Sequence, residues 1–119
     1  MSRVLVVEDD ADLQFLYDNA LRRSGHQVAG ARNSSDAIVY LTTDEFDLVI
    51  LDINMPDMPG LKVLEFARDD VRLRHIPVIV VSANDQYRYE AQDLGAKYFL
   101  VKPVPLLDLL GVVAKALSG

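Results

Sequence analysis

Four short apolar runs in this chain each end in a polar or charged side chain, and that regularity restricts the fold more than any other feature. Val4-Leu5-Val6-Val7 runs into Glu8-Asp9-Asp10, and Leu48-Val49-Ile50-Leu51 into Asp52. Ile76-Pro77-Val78-Ile79-Val80-Val81 runs into Ser82, and Tyr98-Phe99-Leu100-Val101 into Lys102-Pro103. Continuous apolar runs of this length suit strands buried on both faces, as in a mostly parallel sheet covered by helices. Longer amphipathic stretches lie between them, so the chain reads as βαβ repetition. Open α/β sheets place their chemistry outside the carboxyl ends of the strands. One rim then collects carboxylates, a hydroxyl and an amine, a set suited to a divalent cation and phosphoryl transfer.

The spacing predicts β1 over 3–7 and α1 over 11–24, with an apolar stripe of Leu13, Leu16, Ala20 and Leu21 and a stop at Gly25. A weaker β2 over 27–31 leads to α2 over 35–42. Then come β3 over 48–51, a loop containing proline and glycine, and α3 over 61–69. Strand β4 over 78–81 precedes α4 over 86–94, which Gly95 stops. The last pair is β5 over 98–101 and α5 over 106–117. No linker-like or low-complexity segment separates these units, so residues 1–119 read as a single domain.

With 119 residues, half of them hydrophobic, the chain can bury a real core and is not a disordered segment. It has no cysteine, which removes disulfides, thiol catalysis and zinc–thiolate sites together and fits a reducing, cytoplasmic setting. No stretch approaches the roughly 20 apolar residues of a membrane span, and Met1-Ser2-Arg3 leads straight into a strand rather than a signal sequence. Twelve basic against eighteen acidic residues leave a net charge of −6, which points away from nucleic-acid binding by this segment.

Glu8, Asp9 and Asp52 converge if β1 and β3 are neighbours. Carboxylates packed so closely repel one another, and a hard cation with oxygen ligands resolves the conflict; Mg²⁺ fits such a site. The Glu8-Asp9-Asp10 run has a second reading as the acidic start of a helix. That reading explains Asp10 but leaves Asp52 without a role. An aspartate can attack phosphorus to give an acyl phosphate, with the metal and a nearby cation neutralising the phosphoryl oxygens. Lys102 is the natural cation, Pro103 stiffens the turn after it, and Ser82 can donate to a phosphoryl oxygen. Alone, Lys102 is equally a surface charge and Ser82 a helix cap; their joint placement at strand ends carries the reading.

Over nearly its whole length the sequence resembles the receiver domains of two-component response regulators. The agreeing segments are Val4 to Asp10, Asp47 to Pro56, Pro59-Gly60, Ile76 to Ile79, Val81-Ser82-Ala83, Gly95-Ala96 and Lys102-Pro103. The resemblance implies a flavodoxin-like (CheY-like) doubly wound (βα)5 fold, with a parallel sheet in the order 2-1-3-4-5 between two helical layers. It implies that Asp52 is the phosphoacceptor and that Asp9, Asp52 and the backbone carbonyl of Asn54 ligate Mg²⁺, with Mn²⁺ as a substitute. Glu8 then acts on the metal through water, Ser82 is the switch hydroxyl and Lys102 the phosphate lysine.

Phe99 falls at the switch-aromatic position, where relatives often carry tyrosine; lacking a hydroxyl, it switches by ring packing or is simply an apolar strand residue. Tyr98 points to the opposite side of the strand, as packing. Asn54 and Asn84 match positions that tune the acyl phosphate's lifetime, although Asn84 has a plain turn role as an alternative, beside Asp85 at a helix start. The implied partners are a sensor histidine kinase or histidine phosphotransfer domain and a downstream output domain or protein. Self-phosphorylation and autodephosphorylation are the only chemistry implied, with no turnover of an ordinary substrate.

Gly60 serves the loop after Asp52, which Pro56 and Pro59 restrict. His26 and His75 lack metal-ligand spacing and read as surface or partly packed imidazoles. The last helix is unusually apolar, with Leu107 and Val112 as candidates for exposure. An apolar face there suits a partner or a homodimer, and the resemblance implies the α4-β5-α5 surface. Three other functions compete: a phosphate-independent interaction scaffold, a small-substrate phosphohydrolase without a cap insertion, and a flavin binder, which the acidic rim disfavours.

Overall fold

The computed structural model describes residues 2–118. Its elements run β1 (Arg3–Val7), α1 (Ala11–Arg23), β2 (Gln27–Ala31), α2 (Ser34–Thr43), β3 (Leu48–Asp52) and α3 (Gly60–Asp69), followed by β4 (Val78–Ser82), α4 (Arg88–Asp93), β5 (Tyr98–Val101) and α5 (Leu106–Ser118). All strand pairs are parallel and the order is β2-β1-β3-β4-β5. The apolar runs explain this order: β3 and β4 are buried at every residue, whereas β2 and β5 at the edges bury only one residue each and leave the rest half-buried or exposed.

Strand period two divides the core into two layers. Leu5, Val7, Val49, Leu51, Val78, Val80 and Phe99 face one side, where Ala37, Leu41, Val63, Leu64, Ala67 and Ala91 of α2, α3 and α4 cover them. Val4, Val6, Leu48, Ile50, Ile79 and Val81 face the other, beneath Tyr17, Leu21, Leu109, Val113 and Ala116 of α1 and α5. Gly25 and Gly95 end α1 and α4 at φ of 93° and 99°, a region that glycine enters without a Cβ penalty.

Three local expectations need correction. On α1 the inward stripe is Leu13, Tyr17, Ala20 and Leu21, and Leu16 is 45% exposed. The four-residue step from 13 to 17 to 21 keeps one face on the sheet, and Leu16 lies a position off it. Val112 is half-buried against the second core layer, because α5 lies against α1 as well as the sheet, whereas Leu107 is exposed as expected. The segment expected as one helix over 86–94 begins with a 3-10 turn at Asp85–Tyr87, closed by the Arg88 N–H on the Asp85 carbonyl.

No helix among the described residues is long and apolar enough to cross a membrane. His75 is exposed and His26 half-buried, and neither belongs to a metal-capable cluster among the described residues.

Candidate functional site

Register brings the rim together. Val7 pairs with Leu51, Asp52 with Val81, and Ser82 with Val101, so the residues following or ending these strands sit at one level. Glu8, Asp52, Ser82 and Lys102 are thereby delivered to one edge by four strands. The Lys102 N–H donates to the Ser82 carbonyl at 2.8 Å, fastening the last of these to its neighbour.

At the centre, the Lys102 Nζ lies 2.8 Å from Glu8 Oε1 and 3.0 Å from Asp52 Oδ2. Glu8 and Asp52 are almost fully buried and Asp9 is exposed, so the cluster has a closed floor and an open mouth. Ligand oxygens of Glu8, Asp9 and Asp52 all lie within 4.8 Å of one another. Three carboxylates and one ammonium leave a net negative charge, and an all-oxygen donor set fits a hard divalent cation. Asp52 Oδ1 accepts the Asn54 N–H at 3.1 Å, which turns the loop backbone back over the carboxylate.

Burial pushes Glu8 up to about 7 from its usual 4.5; the Lys102 contact opposes the rise and Asp52 adds to it. For Lys102 burial acts downward, but its hydrogen bonds to Glu8 and Asp52 outweigh it and the ammonium's pKa is raised. The lysine is therefore held charged between the two acids.

Ser82 is fully buried, and its hydroxyl is engaged within its own loop. It donates to the Asn84 carbonyl at 3.3 Å and accepts the Asn84 N–H at 3.1 Å. The Asn84 side chain itself is exposed and accepts the Gln86 N–H at 2.9 Å, capping the 3-10 turn. Phe99 is buried with its ring toward the α4 side, and the Arg88 guanidinium lies 5.0 Å from the ring centroid. Arg88 also bonds Asp85 at 2.8 Å and reaches the Phe99 carbonyl at 3.5 Å. Tyr98 faces the opposite core layer.

Sequence reasoning missed three contributors. Tyr17 is 3% exposed and lies beside Lys102 at an apolar groove of about 540 Å³ formed with Leu13, Leu16, Ala83, Pro103 and Val104. The i, i+4 step from Leu13 would have exposed it. Arg88 carried no sequence signal, because its partner ring is eleven residues away in β5. Asp57, between Pro56 and Pro59, drew no reading from the sequence, yet it reaches across to α2. The acidic neighbour Asp10 caps α1, accepting the N–H groups of Asp12 and Leu13 at 2.9 and 3.2 Å.

The chain has counterparts among known proteins. The response regulator receiver domain model matches residues 4–114. Protein PilH of Pseudomonas aeruginosa is 31% identical, with all of both chains covered. The transcriptional regulatory protein PrrA of Mycobacterium tuberculosis is 38% identical over 93% of this chain, which spans only 48% of PrrA. A solved structure of response regulator protein TrrA from Thermotoga maritima, in complex with Mg²⁺-BeF, superposes with a TM-score of 0.88 at 30% identity, covering 98% of this chain and 99% of that one. With the family match running from β1 into α5 and PilH aligning throughout, the chain belongs to the receiver domains of two-component response regulators.

Proposed function

We propose that the domain accepts a phosphoryl group on Asp52 from a phosphohistidine of a histidine kinase or phosphotransfer domain, and that it does so with Mg²⁺. The observation that carries this reading is the Lys102 ammonium lying within 3.0 Å of both Glu8 and Asp52, with Asp9 open at the same mouth. Asp9, Asp52 and the Asn54 carbonyl hold the cation, and Glu8 acts on it through water; Mn²⁺ serves in its place. When bound, the cation neutralises charge on the phosphoryl oxygens.

An Asp52 carboxylate oxygen forms the new bond to phosphorus as the phosphorus–nitrogen bond breaks, and the departing imidazole nitrogen retains its electron pair and takes a proton. Lys102, already aimed at Asp52, meets the incoming phosphoryl charge. Ser82 must leave its Asn84 contacts to donate to that group, and this exchange is the trigger of the switch. Hydrolysis reverses the modification: water attacks phosphorus, the acyl oxygen leaves as the Asp52 carboxylate, and inorganic phosphate departs. Asn54 and Asn84 flank that path and set its rate.

Phe99, lacking a hydroxyl, transmits the change through ring packing beneath Arg88 to the α4-β5-α5 surface. Tyr89, Val101 and Leu107 are exposed there, which suits an output domain, a target protein or a second copy. A cytoplasmic setting matches both the donor and the cysteine-free chain.

Intact mass measured after incubation with Mg²⁺ and acetyl phosphate tests the reading. The parent gains one phosphoryl group and Asp52→Asn gains none. No gain in a folded, Mg²⁺-binding parent would direct attention to a phosphate-independent scaffold.

A further inference from the structure

Asp57 makes more hydrogen bonds than a turn residue requires. Its Oδ1 accepts the Ser34 N–H at 2.9 Å, and its Oδ2 accepts the Ser35 N–H at 2.9 Å and the Ser35 hydroxyl at 2.6 Å. The fully buried Ser34 returns its own hydroxyl to the Met58 carbonyl at 2.8 Å. Four hydrogen bonds thus join the middle of the loop over 53–59 to the first turn of α2. These N–H groups have no partner within the helix, and negative charge is favoured at that end. The helix also keeps its own cap, since Asn33 Oδ1 accepts the Asp36 N–H at 2.7 Å. The Asp57 contacts therefore add to the capping of α2 without replacing it.

The tethered loop begins directly after Asp52. At its far end the Gly60 N–H donates to the Ile53 carbonyl at 2.7 Å, and near its start the Asn54 N–H reaches Asp52. Between those anchors the loop carrying the Asn54 carbonyl is held by the proline rings, the packing of Met55 on the core, the Ser34 bond to Met58 and the Asp57 tether, which supplies three of the four links to α2. Asp57 itself is outside the acidic cluster formed by Glu8, Asp9 and Asp52.

We propose that Asp57 is a positioning residue: by clamping the loop over 53–59 to the start of α2, it holds the Asn54 backbone where the cation and the Asp52 carboxylate need it. The inference rests on the proposed Mg²⁺-dependent reading of the site. It makes α2, which supplies no residue to the rim, the support of the metal loop. The clamp is electrostatic as well as geometric, since hydrogen bonding from the Ser35 hydroxyl, then the two backbone N–H groups, holds the Asp57 carboxyl below its ordinary range.

The test is an NMR titration of the unphosphorylated protein with Mg²⁺, following the Asp52 and Asn54 amides, in the parent and in Asp57→Ala, Ser35→Ala and Asn33→Ala. Loss of Asp57 raises the Mg²⁺ dissociation constant about tenfold, the low end of what removing a partner of a metal ligand costs. Ser35→Ala, which removes a single contact and leaves the loop otherwise tied, raises it less. Asn33→Ala frays the same helix end and lowers the melting temperature without moving the dissociation constant. Equal shifts in Asp57→Ala and Asn33→Ala would reduce Asp57 to a stabilising cap, and an unchanged constant in Asp57→Ala would also overturn the inference. If Asp57→Ala does not fold, Ser35→Ala decides alone against Asn33→Ala. A parent that binds no Mg²⁺ takes down the functional reading itself, and the inference with it.

Discussion

Glu8 carries a cost that the metal-free protein must bear. Its folded pKa of about 7 stands above the ordinary 4.5, so between those values the folded state binds the proton more tightly than the unfolded chain does. Its contribution to stability is complete below 4.5 and is lost as pH rises through 7. Glu8→Gln removes the titrating group, and the stability of the protein in a chelator then loses this part of its decline over that window. Urea denaturation at a series of pH values measures the slope; an unaltered slope would show that Glu8 ionises freely in the folded state. Lys102 offsets the cost in part, which is why its ammonium is turned inward to two acids at once.

The loop joining β3 to α3 shows how an element is set by its least conspicuous residue. Gly60 packs directly on the Asp52 backbone, and a Cβ there would fall 2.5 Å from the Asp52 carbonyl oxygen and 2.7 Å from the Ile53 Cα. Neither atom is the end of a flexible side chain, so the loop must shift to admit it. Gly60→Ala is expected to cost roughly 1–3 kcal/mol, the usual range for an overpacked site, and to slow phosphorylation of Asp52. Chemical denaturation together with the acetyl phosphate reaction checks both, and unimpaired phosphorylation would mean that the loop tolerates the shift. On the opposite wall, Arg88 joins α4 to β5 through the Phe99 ring and carbonyl, so the proposed switch aromatic is tied to α4.

For the molecule as a whole, the rim is a compromise between burial and charge. Two buried carboxylates oppose folding unless a cation answers them, and Lys102 answers only part. Mg²⁺ at tenfold its dissociation constant should therefore raise the unfolding free energy by about 1.4 kcal/mol through mass action, an increment that Asp52→Asn diminishes. Denaturation curves with and without the cation measure it. Equal gains in both proteins would place the ion elsewhere.

The fold was largely legible in the chain because burial on both faces leaves an unbroken apolar run, and β1, β3 and β4 each carry one into a polar residue. Asp52, Glu8, Ser82 and Lys102 could be read for the same reason: each abuts such a run, and a strand end has only one rim to reach. Leu16 left the expected stripe and Tyr17 is buried instead because single-residue phase on a helix depends on what it packs against. Asp57, Arg88 and the engagement of Ser82 with Asn84 belong to the tertiary structure alone. Asp57 meets Ser34 and Ser35 across some twenty residues of chain, and Arg88 meets Phe99 across eleven. Contacts between distant segments arise only when the sheet has fixed its order and the helices have settled on its faces, and no local pattern of residues encodes them.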